Sequence, residues 1–492
     1  MQFFSTRDHT HTVSAAEAIV RGIAPDGGLY LPTHLPTFPM TDLGTMSGED
    51  ISVKVLSLLF EDFSEEELRA AVHAAYAEAF EGGNIAPLVP VGDGYVCELW
   101  HGPTCAFKDV ALCLLPYLLT LAARKTGVKE DICILTATSG DTGSAALNGF
   151  SGVDGTRIIV FYPDGGVSPM QKRQMVTVDG ANTSVCAVRG NFDDAQSGVK
   201  AIFASALSIP GVRFSSANSI NIGRLAPQIA YYFQSYRDLL REGRITFGDK
   251  VNFVVPTGNF GDILAGYFAK GMGLPVGRLV CASNENRVLT DFFASGVYDR
   301  RREFRLTASP SMDILISSNL ERLLAMTVGT ETTRDLMHAL STEGVYTLPK
   351  GAREALAETF SAACATDADT AATIRRVFET HGYLMDTHTA VAYHVYESWR
   401  AEQGADPAPT VVLSTASPYK FVSSVLEALG KTPTGDGFAD MKTLSAISET
   451  PIPRGLSKLI DATVVHTDIT DPAAMRDYVA ATAPRIGGEY RA

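Results

Sequence analysis

The sequence lacks any long run free of charge. Lys, Arg, Asp and Glu make up 20% of 492 residues, spread so that no charge-free apolar stretch could span a bilayer. A membrane-spanning helix is therefore not expected. No secretory leader is expected, since "MQFFSTRDHT" has no basic start followed by an apolar run. Paired cysteines are absent. The seven cysteines are odd in number and scattered, without CxxC pairs or zinc-like spacing with histidine. That excludes a disulfide framework and a structural zinc site, and it suits reduced thiols in the cytoplasm. Basic excess is absent too. Lys and Arg number 41 against 55 Asp and Glu, a net charge of −14, so neither nucleic acid nor an anionic membrane is the expected partner. No tract is low-complexity and no internal repeat is visible.

What is present is enough chain for two or three domains. A first zone, 1–94, holds "SEEELRAAVHAAYAEAF", a helix opened by Ser64 with Glu67 as capping-box partner. A second zone, 95–430, alternates β-branched runs with helical patterns. "DICILTATSGDTGSAALNGF", "TSVCAVRGNFDDAQSGVKAIFASAL" and "KVNFVVPTGNFGDILAGYFAKGMGLP" each read strand, loop, helix. This alternation predicts an α/β fold with parallel sheets covered on both faces. A third zone, 431–492, is polar and proline-dotted, with a closing helix at "DPAAMRDYVAATA".

Parallel sheets bind ligands at the carboxyl ends of their strands. Three loops lie there. "TSGDTGSAA" follows the Ile132–Leu135 strand and offers Ser139, Gly140, Asp141 and Thr142 to an anion such as a carboxylate. "PTGNFGD" follows the Val251–Val255 strand, and Gly258, Asn259, Phe260 and Gly261 form a natural phosphate cradle. "LSTASPYKF" ends a strand on Ser414 and Thr415. Each is also an ordinary strand-to-helix turn in composition. A dinucleotide site is disfavoured, because neither glycine loop is G-x-G-x-x-G, although Glu285 lies about twenty residues beyond the second.

"LWHGPTCAFKDVALCLL" poses the central question. Ala111, Leu114, Leu115, Leu118 and Leu121 are spaced as one buried helix face, with Pro116 inside the pattern. Lys108 stands at the entry of that helix. A snorkelling lysine would explain it. Yet a cation at a helix start is electrostatically disfavoured, and an amine there deprotonates more easily, as a Schiff-base lysine must. An aldehyde cofactor bearing a phosphate would account for the lysine and the glycine loop together.

At these residues the chain resembles a known family. "HGPTCAFKD", "TSGDTGSAA", "SANSINIGRLAPQIAYYF", "PTGNFGDILAGYFAKGMGLP" and "SPSMDILISSNLERLL" look like the blocks of threonine synthase, in family order. The start, with "SAAEAIVRGIAPDGGLYLP", resembles that family's N-terminal domain, and the likeness is greatest to the enteric-bacterial and fungal branch. The resemblance implies a fold type II pyridoxal-phosphate enzyme. Two parallel-sheet α/β domains would hold the cofactor between them, beside a mostly helical N-terminal domain. It implies a cytoplasmic lyase, monomeric or weakly oligomeric, that converts O-phospho-L-homoserine and water to L-threonine and phosphate.

By the same resemblance Lys108 carries pyridoxal 5′-phosphate and shuttles protons. Gly258, Asn259, Phe260 and Gly261 hold the cofactor phosphate, and Thr415 faces the pyridine nitrogen. Ser139, Gly140, Asp141, Thr142 and Lys420 lie on the substrate side. Cys105, Ser417 and Tyr419 depart from the family pattern, and the last two put the substrate end in question. For His101 a structural hydrogen bond and a catalytic role are equally open, whereas His388 is expected to cap or pack a helix. The candidate cations for a substrate phosphate are Lys172, Arg173, Arg224 and Lys420, which the sequence does not rank. Serine or threonine dehydration, a phospho-lyase reaction and a non-catalytic binding role stay open as alternatives.

Overall fold

Runs of β-branched residues bury both faces of a strand, and such strands stack side by side in parallel under helical cover. The computed structural model describes residues 1–205, 207–404 and 408–487. The larger sheet has six strands. In order they are Phe360–Cys364, Val276–Ser283, Val251–Pro256, Thr410–Ser414, Gly94–Glu98 and Leu88–Val91. All pair in parallel except the last, which forms a hairpin with Gly94–Glu98. The smaller sheet is wholly parallel, in the order Asp468–Thr470, Thr183–Val188, Thr156–Pro163, Asp131–Ala137, Val212–Ser215. The expected strands at Ile132–Leu135 and Val251–Val255 lie inside these elements.

Two features were not legible in the sequence. Phe3–Ser5 pairs with Asp8–Val13 and Tyr30–Pro32, so the N-terminal unit carries a small antiparallel sheet beside its helices. Its strands are short and one is largely exposed, which erases the alternation that marks a half-buried strand. The Asp468–Thr470 strand is likewise short and polar, yet it caps the edge of the smaller sheet. The 431–492 segment therefore joins the smaller sheet and is no detached tail, though residues 488–492 lie outside the described residues. The Ser64–Glu67 capping box forms as expected.

The helix that begins with Lys108 runs Lys108–Lys125 and continues through Pro116. Its expected single apolar face is an underestimate. Val110, Leu112, Cys113 and Leu119 are buried as well, while Leu121 is only partly so. The helix packs against Ala15–Arg21 and Glu65–Tyr76 of the N-terminal unit and against Asp141–Phe150. A helix covered from several sides must be apolar nearly all round. Tyr76 also donates its hydroxyl proton to Val110 O at 2.7 Å, which ties the first zone to the first turn of this helix.

Gly149 sets how closely the Asp141 helix approaches the Lys108 helix. A Cβ there would lie 2.1 Å from the Leu112 carbonyl oxygen, which is backbone and cannot yield. Gly149→Ala should therefore overpack this contact and destabilise the protein by ~1–3 kcal/mol. The measurement is the urea midpoint of purified protein, and an unchanged midpoint would mean that the two helices are not in such contact.

Candidate active site

The turn before Lys108 is built by its neighbours. Asp109 is fully buried and accepts from Thr104 N at 2.9 Å and from Thr104 Oγ1 at 2.6 Å, so it clamps the Gly102–Phe107 turn. Cys105 within that turn adopts φ 57°, a left-handed backbone that is uncommon for a residue with a side chain. Phe107 N donates to Thr415 O at 2.8 Å and Ser417 N to Cys105 O at 3.0 Å. These bonds fasten the Lys108 turn to the end of the Thr410–Ser414 strand. Lys108 and Thr415, far apart in the chain, thus come to one place.

Lys108 Nζ lies 3.3 Å from Asp141 Oδ2 and 3.3 Å from Ser311 Oγ. Burial pushes its amine below the ordinary lysine range. Asp141 opposes that, and the cations Lys420 and Arg224 add to it. Asp141 itself opens the Asp141–Phe150 helix, where a carboxylate suits the positive end. Its second oxygen meets Lys420 Nζ at 2.8 Å and Gln171 Nε2 at 3.1 Å. Burial alone would raise this carboxyl, but Lys420 and Lys108 outweigh it and hold Asp141 well below the usual range. Ser139 is exposed and Thr142 half-buried at the same helix start, while Gly140 adopts φ 140° with no room for a side chain beside Gln171.

The glycine loop fits a phosphate. Phe260 is left-handed, φ 65°, and turns the chain into the Gly261–Gly271 helix. The loop carbonyls point outward: Gly258 O accepts from Ser317 Oγ at 2.7 Å, and Asn259 O from Asn319 N at 3.0 Å. Among the described residues, no protein acceptor meets the N–H groups of Gly258, Asn259, Phe260 or Gly261. Four free donors at the start of a helix make an anion nest. A Cβ on Gly258 would meet Ser311 O at 2.8 Å, so only glycine leaves the cradle open. An amine, a phosphate nest and the Thr415 hydroxyl are the donor set that a phosphorylated pyridine aldehyde requires.

Ser417 and Tyr419, the departures from the family pattern, are engaged in local backbone contacts. Tyr419 is buried and donates to Thr450 O at 2.5 Å, and Ser417 Oγ caps the short Pro418–Phe421 turn. Both shape the backbone around Lys420. His101 is stacked on Trp100 and bonded to Glu98 Oε2 at 2.8 Å. Glu285, the acid considered for a dinucleotide ribose, is paired with Arg305 at 2.9 Å.

The structure ranks the candidate cations. Lys172 is half exposed beside Asp164, and Arg173 is spent on the carbonyls of Leu459 and Ala462. Lys420 is held by Asp141. Arg224 is 4% exposed, donates to Ala217 O at 2.7 Å, and leaves its Nε without a partner. Burial pushes it down to about 10. It remains charged at neutral pH, with no carboxylate partner among the described residues. Sequence reasoning missed Ser311 and Gln171, which both touch Asp141. Ser311 lies in the quoted "SPSMDILISSN" block, but nothing in the chain order says which of its serines faces Lys108.

Comparison with known proteins agrees along the chain. Residues 2–76 match the family model described as threonine synthase N terminus, 93–416 that of pyridoxal-phosphate dependent enzyme, and 389–479 that of threonine synthase, C-terminal. Threonine synthase of Saccharomyces cerevisiae is 37% identical over 86% of this chain and 88% of its own. That of Corynebacterium glutamicum is 39% identical over 89% and 93%. The crystal structure of pyridoxal-phosphate-bound threonine synthase from Brucella melitensis superposes with a TM-score of 0.87 at 36% identity, over 98% of this chain and 99% of that one. Likeness of this extent, in sequence and in fold, places the chain in the threonine synthase family of pyridoxal-phosphate-dependent enzymes.

Proposed function

We propose that the chain converts O-phospho-L-homoserine and water to L-threonine and phosphate, with Lys108 as the cofactor-bearing lysine. The observation that carries this reading is a buried cationic cluster without enough carboxylate to match it. Lys108 and Lys420 share Asp141, while Arg224 has an unmet buried charge that acts on the Lys108 amine. An uncompensated buried cation is costly, and a dianionic ligand relieves the cost. Bound pyridoxal phosphate supplies the electron sink that lets protons leave the substrate carbons. Lys108, its amine weakened as a base by burial, takes and returns those protons. Gly258, Asn259, Phe260 and Gly261 hold the cofactor phosphate, and Thr415 presents a neutral hydroxyl to the pyridine nitrogen. The helix start at Ser139, Gly140, Asp141 and Thr142 receives the substrate carboxylate through the Ser139 and Thr142 hydroxyls and backbone N–H groups other than that of Gly140, which Thr138 Oγ1 takes, while the Asp141 side chain faces Lys108 and Lys420. Arg224 holds the leaving phosphate. The reaction is assigned to three units, 1–94, 95–430 and 431–492; the three family matches follow this order, although the C-terminal match already begins at 389 and the hairpin of Leu88–Val91 with Gly94–Glu98 crosses the first boundary. Seven thiols without a disulfide support a cytoplasmic setting. No helix among the described residues is long and apolar enough to cross a membrane.

Three outcomes follow. Lys108→Ala should abolish borohydride-reducible attachment of the cofactor and lower turnover by at least ~10²–10⁴-fold, the usual loss for a positioned proton-transfer group. Peptide mapping after reduction of the wild type checks it, and a label on another lysine would refute the assignment. Arg224→Gln should raise KM for O-phosphohomoserine roughly 10–100-fold, since a charge-assisted hydrogen bond contributes ~1.5–3 kcal/mol. Inhibition by free phosphate should weaken in parallel. An unaltered KM would move the phosphate site elsewhere. Phosphate and threonine should form in equal amounts over one time course, and unphosphorylated homoserine should not react. A large excess of phosphate over threonine would point instead to a phospho-lyase.

A further inference from the structure

His388 was expected only to cap or pack a helix. In the structure it stands in the first turn of the Thr387–Gln403 helix, 2% exposed, and it faces the active site from the side. Its Nε2 lies 3.1 Å from Ser311 N. A backbone N–H can only donate, so Nε2 must be the unprotonated nitrogen. The proton then sits on Nδ1, which lies 2.7 Å from Asp386 Oδ2. Asp386 is fully buried and also accepts from His388 N at 2.9 Å and from Thr389 N at 3.0 Å. The Thr389 hydroxyl bonds to it as well and lies 2.9 Å from Ser414 Oγ, the residue before Thr415. The ring is fixed on its flank by Phe421, 4.8 Å away between centroids. Tautomer and orientation are both determined.

The other end of this chain of contacts is the reacting amine. Ser311 donates its hydroxyl proton to Asp141 Oδ2 at 3.1 Å and accepts from Lys108 Nζ at 3.3 Å. Its carbonyl forms the wall that Gly258 leaves room for. Ser311 sits in the short Pro310–Met312 turn, which has no side-chain cap of its own. The imidazole supplies the missing acceptor from another element.

We propose that His388 is a positioning residue. By accepting the Ser311 N–H it aims the Ser311 hydroxyl at Lys108 and Asp141 and so sets the geometry of proton transfer. The proposal rests on Lys108 being the cofactor lysine, and failure of that reading would be visible separately as a wild type without a reducible, coloured attachment.

The test compares His388→Asn and His388→Gln as holoenzymes. The Asn amide keeps its reach to Asp386 but leaves Ser311 N without an acceptor, whereas the Gln amide oxygen can take the place of Nε2. His388→Asn should lower kcat roughly 10–100-fold with KM for O-phosphohomoserine within about threefold, because a misplacement of order 1 Å costs about that much. Its visible absorption band should shift relative to the wild type. His388→Gln should restore kcat to within about threefold and restore the band. In a double-mutant cycle, adding His388→Asn to Ser311→Ala should cost little more than Ser311→Ala alone. Equal damage from Asn and Gln, full additivity with Ser311→Ala, or no effect of Asn would each overturn the proposal. A measurement independent of the variants' folding is the ¹⁵N spectrum of histidine-labelled wild type. The His388 resonance should report the proton on Nδ1, and a proton on Nε2 would overturn the proposal whatever the variants do.

Discussion

A single carboxylate, Asp141, shared by the half-buried Lys108 and the buried Lys420, organises this protein. Lys108 comes from the helix that the N-terminal unit packs upon, Lys420 from the turn after the Thr410–Ser414 strand, and Asp141 from the smaller sheet's first helix. Each charge taken from water carries a desolvation cost that only close pairing offsets. The pairing therefore holds three separate elements in one register. It also leaves the cluster short of negative charge once Arg224 is counted. A protein of net charge −14 thus keeps a locally cationic interior. Such a site is made for anions, and the low dielectric around buried charges strengthens its field.

The surrounding structure keeps those elements from drifting. Ser317 and Asn319 take up the outward carbonyls of the glycine loop. Arg322, fully buried, donates to Asn319 Oδ1, to Ile220 O and to Tyr30 O of the N-terminal sheet. The phosphate cradle is in this way tied to the first thirty-odd residues of the chain by hydrogen bonds whose loss would leave buried polar groups unmet. The C-terminal segment completes the frame. Gly455 approaches so closely that a Cβ would lie 2.6 Å from Pro103 O and 2.8 Å from Cys105 Sγ, while Leu459 and Ala462 receive Arg173 from the smaller lobe. The C-terminal segment thus touches the turn before Lys108 and the neighbouring lobe at once. The thiol at Cys105, a departure from the family pattern, is part of that packing contact.

The sequence by itself determined the α/β class, the strand–loop–helix units and the loops at their carboxyl ends, because these rest on local periodicity and turn chemistry. Lys108 was legible for the same reason: a cation at a helix entry contradicts the local electrostatic preference, and such a conflict is visible in one dimension. The family blocks extended that reading to Gly258–Gly261, Thr415 and Lys420. What only the tertiary structure decided is which groups meet. Arg224 could not be ranked above Lys172 or Arg173, since burial without a counter-ion is a property of the packed interior. Ser311 and His388 could not be joined, for 77 residues separate them and a single backbone hydrogen bond links them. The edge strand Asp468–Thr470 and the N-terminal sheet were silent for a related reason. Their stability comes from partners distant in the chain, not from any pattern within the strands themselves.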